Sequence, residues 1–268
     1  MAKNYRDARE QGIILQLIKK IGGSEVLIYY KYSQENIEQK AEGVLREFDA
    51  ERLELPKTLD VYDFIEQYLD VPYDWKNLTP DQSLLGLTAF NDGYWWVWPD
   101  GAKTDGSTLP EKLVVPKNTI LIDNSVVNCQ SKGRENFTVI HECFHQILHR
   151  KSFSRGKVDY MHSCAKKDFY ANVGKKKTMT AIEIIEWQAN ASTAAFLMPR
   201  QAVRNVFLEK LELSTLPTTP IPLTFHINAK IYEMADLFNS SYIAMKYRLC
   251  GLNLLQNRVY DIDDIDLF

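Results

Sequence analysis

The segment Arg134–His149, RENFTVIHECFHQILH, limits what this chain can become more than any other. Its apolar residues Phe137, Ile140, Phe144 and Ile147 recur at steps of three and four, which predicts an α-helix over 133–149 with one stripe against a core. His141 and His145 stand four apart, one above the other on a neighbouring face. Two imidazoles so placed can hold one zinc ion, and Glu142 beside them can take a proton from the water such an ion activates. The plainer alternative is a buried helix that happens to carry histidines. With only five His in the chain, this spacing is uncommon by chance.

A catalytic zinc takes three protein ligands and keeps one position open, so the rest of the chain must supply a third. His149 extends the row by one more turn. Turns about 5.4 Å apart cannot all reach one ion through bonds of about 2 Å, so a capping or substrate-side role is expected for it. Cys143 points away from the His pair and is expected to be buried. The candidate third ligand lies in IEIIEWQAN, residues 182–190. The polar stretch 150–178 is long enough for this second helix to fold back antiparallel. Glu186 is the first choice and Glu183, one turn earlier, the competitor. Asn190, one turn beyond Glu186, can face the same way and hold a ligand in orientation. Taken without the upstream motif, either Glu would be read as a solvated position on an ordinary helix.

The totals set bounds. The chain has 268 residues, 45% of them hydrophobic, which allows a substantial core and excludes wholesale disorder. A net charge of −3 and a pI of about 6.0 give no global case for nucleic-acid binding. Cys129, Cys143, Cys164 and Cys250 form no CxxC pair, which suits reduced thiols in a cytoplasm. The N-terminus MAKNYRDAREQG has no apolar core, so no signal peptide is expected, and no apolar run approaches the length of a membrane span.

Around the motif, residues 11–21 read as a short amphipathic helix or a strand. Helices are expected at 34–49 and at 60–69, the second capped by Asp60. Leu84–Phe90 and Tyr94–Trp98 flank Asn91-Asp92-Gly93, a hairpin signal, and Thr119–Asp123 reads as a third strand. The intervening 99–116 reads as a surface loop. Trp95, Trp96 and Trp98 suit a half-buried sheet better than a binding platform. Residues 150–178, with Lys175-Lys176-Lys177, read as a solvated loop. Further helices are expected at 180–197, capped by Thr178 or Thr180, then at 200–211, 226–238 and 241–250. A Pro/Thr linker at 215–222 separates the last two from the rest. The tail Asp261–Asp266 is acidic without the spacing of a calcium loop.

The stretches FTVIHECFHQILH (137–149) and EWQANASTAAFLMPR (186–200) together resemble the ImmA/IrrE family of zinc metallo-endopeptidases. AEGVLREFD (41–49) and LLGLTAFND (84–92) are similar more weakly, so the resemblance spans roughly 35–200. It implies zinc held by His141, His145 and Glu186, Glu142 as general base, and hydrolysis of a peptide bond. Several members of the family cleave a helix-turn-helix repressor, and the resemblance implies a similar protein partner. Ala191-Ser192-Thr193-Ala194 stands where many members have Phe-Ala, which touches packing rather than ligands. The expected fold class is α+β: a zincin-like unit with a three-stranded antiparallel sheet on the active-site helix, plus C-terminal helices. The expected divisions are an N-terminal extension at 1–33, the peptidase at 34–214 and a helical region with the acidic tail at 215–268.

Other readings stay open. The oxyanion of the reaction needs a donor, and Tyr160, His162, Tyr170 and His226 are candidates. An exposed sheet edge can bind an extended substrate. Manganese or iron can use the same ligands as zinc. Residues 229–251 have the outline of a DNA-binding helix-turn-helix around Asn239-Ser240-Ser241, whose second helix offers only Lys246 and Arg248 as phosphate contacts. A regulatory module without turnover is the third class, and Glu142 argues against it, since a structural site has no use for a base.

Overall fold

A computed structural model describes residues 14–19, 26–127, 132–153, 161–165 and 180–256. Strands β1 (Ile14–Lys19) and β2 (Val26–Lys31) pair antiparallel, so the described part of the ambiguous 11–21 stretch is a strand, with a second strand after it. Helix α1 (Gln34–Phe48) starts at a capping box between Ser33 and Asn36. Helix α2 begins as Val61–Asp63, capped by the Asp60 carboxylate, and continues as a wider π-type turn over Phe64–Leu69. Asp70 closes it in the left-handed conformation.

The strands that follow are β3 (Tyr73–Lys76), β4 (Leu84–Ala89), β5 (Gly93–Val97), β6 (Glu111–Val115) and β7 (Ile120–Asp123). After α3 (Asn124–Val127) and the motif helix α4 (Lys132–Phe153) comes β8 (Met161–Ala165). The main sheet has the order β3-β7-β4-β8. Its antiparallel part has three strands, as expected, but β8 takes the place assigned to β5. The fourth strand, β3, adds in parallel to β7, so the sheet is mixed.

The hairpin expected between β4 and β5 does not form. The chain turns at Asn91–Gly93, but β5 pairs with β6, a strand within the presumed 99–116 loop. The reason is burial. Both edges of β4 are occupied, by β7 and β8, and both of its faces are covered. Leu84, Leu87 and Ala89 face a small core with Leu78, Val115 and Leu121, on which Trp95 and Leu113 of the β5–β6 ribbon pack. Gly86 and Thr88 face α4, where they meet Glu142. The ribbon is therefore a cover for the sheet rather than its continuation. Trp95 belongs to this core, whereas Trp96 faces solvent at 46% exposure.

Among the described residues, four further helices follow: α5 (Ala181–Leu197), α6 (Arg200–Lys210), α7 (Phe225–Leu237) and α8 (Tyr242–Gly251). Each lies within a residue or two of its expected place. The large core joins Val139, Ile140, Cys143 and Phe144 of α4 to Ile37 and Leu45 of α1, Phe196 of α5, Val203 and Phe207 of α6, Met234 of α7 and Leu249 of α8. A buried ion pair between Arg248 and Glu38 ties α8 to α1, and Arg248 Nε also donates to the Met198 carbonyl at 2.8 Å. A Cβ on Gly133 would lie 2.9 Å from the Asn239 carbonyl oxygen, so the start of α4 requires glycine where it meets the α7–α8 turn. Tyr160, Tyr170, Cys129, Lys175-Lys176-Lys177 and the acidic tail lie outside the described residues.

Candidate metal centre

Helix α4 is buried on two sides, and the two sides differ in chemistry. Val139, Ile140, Cys143 and Phe144 fill the main core. Burial pushes the Cys143 thiol well above its ordinary pKa, which suits a packing role. The opposite side carries His141, Glu142, His145 and His149, all buried, toward β4 and α5. So many polar side chains on a buried helix face are costly unless each is bonded or coordinates an ion.

The antiparallel return expected of the second helix places Glu186 against the histidine pair. His141 Nε2 stands 2.9 Å from His145 Nε2. Each of these nitrogens lies 3.3 Å from an oxygen of Glu186. One ligand atom from each residue falls within 4.8 Å of the others. A tetrahedral ion with bonds of about 2.0–2.1 Å spaces its ligand atoms about 3.3–3.4 Å apart. His141 Nε2 stands at that spacing from Glu186 Oε2 and His145 Nε2 from Glu186 Oε1, each nitrogen facing a different carboxylate oxygen, and the His–His separation is short of it by roughly 0.4 Å. Two imidazole nitrogens and a carboxylate are the donor set of an open catalytic site, so the residues present fit a zinc-like cation.

Glu183, the competing ligand, is used elsewhere. Its carboxylate accepts from the Thr180 backbone N–H at 2.6 Å while Thr180 Oγ1 accepts from the Glu183 N–H, a capping box that starts α5. Glu186, one turn on, is thereby left facing α4.

Glu142 is placed by β4. Thr88 Oγ1 donates to Glu142 Oε2 at 2.6 Å. Gly86 provides the space: a Cβ there would lie 2.5 Å from Glu142 Oε1 and 2.8 Å from its Cγ. A carboxylate fully buried beside such a donor set is in place to accept and return a proton. Neither Gly86 nor Thr88 stood out in the sequence. The available signal was a glycine inside an otherwise apolar strand, which marks a close approach by another part of the chain.

His149 is no cap. Its Nδ1 lies 3.0 Å from His145 Nδ1, and its Nε2 lies 3.0 Å from Gln188 Oε1. Gln188 Nε2 in turn donates to the Tyr30 carbonyl of β2 at 2.7 Å. Asn190 sits one turn beyond Glu186, half-buried, and its Oδ1 has no hydrogen-bond partner among the described residues. His226 is exposed near the start of α7. His162 lies on β8, where its backbone pairs with Thr88.

The helix-turn-helix outline at 229–251 corresponds to α7 and α8, but the two phosphate contacts expected of its second helix are occupied. Arg248 is buried in the pair with Glu38, and Lys246 is buried with its ammonium 5.5 Å from the Tyr242 ring centre. Among the described residues, no helix is long and apolar enough to cross a membrane.

No curated protein matches the chain. The family model for peptidase M78, described as the IrrE N-terminal-like domain, matches residues 117–250. That span contains the motif helix, the helix carrying Glu186, α6, α7 and all but the last residue of α8. With half of its length matched, including every residue of the donor set and Glu142, the chain belongs to the ImmA/IrrE peptidase family.

Proposed function

We propose that the protein is a zinc-dependent endopeptidase. The observation that carries this reading is the convergence of His141, His145 and Glu186 from two helices, with Glu142 held by Thr88 on the same side of α4. Zinc held by these three would lower the pKa of water and polarise a peptide carbonyl. Glu142 takes a proton from the attacking water and delivers it to the leaving amine. Thr88 keeps that carboxylate in place between the two transfers, and the buried setting strengthens each electrostatic contact. Asn190, with an uncommitted amide oxygen, is assigned to orienting the ligand shell.

The substrate is a protein, and a helix-turn-helix repressor is the form suggested by the family. The residues of the centre are assigned to a zincin-like unit at 34–214, preceded by 1–33, with the helices of 215–268 packed into the same core. A cytoplasmic setting accords with four cysteines that form no CxxC pair.

Metal analysis tests the centre: about one zinc per chain is expected, lost in His141→Ala. Glu142→Gln is expected to keep the metal and abolish cleavage of a co-expressed repressor. Cleavage by Glu142→Gln at the wild-type rate would remove Glu142 from the mechanism.

A further inference from the structure

We propose that His149 and Gln188 are positioning residues that fix the tautomer of His145 from the backbone of β2, and thereby set the metal affinity of the centre. The proposal rests on the metallopeptidase reading above and adds to it an assigned hydrogen on each of two histidines.

The row of bonds has one end whose polarity is beyond choice. The Tyr30 carbonyl can only accept, so the group of Gln188 at 2.7 Å from it is the amide N–H₂. The amide oxygen is then the atom 3.0 Å from His149 Nε2, and it too can only accept. His149 Nε2 therefore carries the hydrogen. A neutral imidazole has one N–H, so His149 Nδ1 presents its lone pair to His145 Nδ1, 3.0 Å away. His145 Nδ1 is the donor in that bond. Its Nε2 is left bare, and that is the nitrogen 2.9 Å from His141 Nε2 and 3.3 Å from Glu186 Oε1. A bare imidazole nitrogen is the form that binds a metal.

With both imidazoles neutral, reversing any member would set two donors or two acceptors against each other. His145, His149 and Gln188 are each at most 1% exposed, so water does not relieve such a clash. The anchor lies outside the family match, which begins at residue 117, so β2 ties the N-terminal part of the chain to the chemistry of the centre. It also explains a third histidine in a row of which one ion can use only two.

Nitrogen-15 NMR of histidine-labelled protein, metal-free and then with zinc alone added, reads these tautomers without a substitution. His145 as Nδ1–H and His149 as Nε2–H in both states are expected. An Nε2–H or averaged tautomer at His145 in the metal-free wild type overturns the proposal. Gln188→Met keeps the size of the side chain and removes both bonds. It is expected to weaken zinc binding about 10- to 100-fold in competition with a chelator, and to mix the His145 tautomers. A folded Gln188→Met protein that binds zinc as tightly as wild type also overturns it. His145→Ala separates the two levels of the argument. If it binds zinc as well as the wild type does, the metal centre itself is misassigned. If it loses zinc while Gln188→Met keeps it, only the positioning role fails.

Discussion

A side chain in this centre is worth little without the residue that leaves room for it. Glu142 occupies the volume that a Cβ on Gly86 would take. Gly86→Ala is therefore expected to displace the carboxylate while sparing the three donors. Since a misplacement of about 1 Å can cost roughly 100-fold in rate, kcat should fall by about that factor with the zinc content unchanged. A Gly86→Ala enzyme with wild-type kcat would show that Glu142 does not need its present position. Thr88→Val removes the hydroxyl that donates to Glu142 Oε2 and leaves a buried carboxylate one donor short. It should lower kcat without changing metal affinity, and Thr88→Ser, which restores the donor, should recover most of the loss. Equal rates for the valine and serine variants would remove Thr88 from the account.

At the scale of elements, the two carboxylates one turn apart on α5 have opposite assignments that stability and metal content can separate. Glu183→Ala breaks the capping box and should cost about 1 kcal/mol of stability, read by chemical denaturation, with zinc binding intact. Glu186→Ala should lose the metal. The docking of α8 on α1 depends on a buried charge pair. Burial acts to raise the Glu38 carboxyl, but the Arg248 guanidinium outweighs it and holds that group below its ordinary value. A lowered folded pKa gives stability that is fully present above the ordinary carboxylate range and is lost as pH falls through the lower folded value. Glu38→Gln should accordingly flatten the acid limb of the melting temperature against pH. Arg248→Met leaves Glu38 charged and buried without its partner, and should cost about 3–5 kcal/mol at neutral pH. An Arg248→Met protein as stable as wild type would show the pair to be incidental.

For the whole molecule, the helices beyond residue 214 are part of the main core and not an appendage to it. Ile231, Met234, Met245, Leu249, Leu254 and Leu255 are all buried there. At about 1.5–3 kcal/mol for each large side chain, removing six withdraws roughly 9–18 kcal/mol. That matches or exceeds the 5–15 kcal/mol, roughly, by which a domain is stable. A chain ending at residue 214 is expected to lose cooperative unfolding, as followed by circular dichroism in denaturant. A sharp transition at the wild-type midpoint would mean that the peptidase unit folds without these helices. The same packing bears on function, since the turn between α7 and α8 abuts the start of α4 at Gly133.

The helices were legible because their signals are local. Asp60 and Thr180 cap where they stand, and a period near 3.6 marks each buried face. The histidine pair was legible for the same reason: a spacing of four puts two histidines on one helix face in any fold, and the need for a third ligand narrowed the choice to Glu186 or Glu183. Strand partners were not legible. Whether β4 meets β5 or β8 depends on which segments cover its faces, and nothing in LLGLTA or MHSCA states it. By itself the sequence determined which residues can bind a metal and which helices carry them, because covalent spacing along a helix fixes that. Only the tertiary structure decided that Gly86 makes room for Glu142, that Glu183 is used up in a cap, and that His149 reaches β2 through Gln188. These are contacts between segments far apart in the chain, set by packing around a shared core, and no local pattern encodes them.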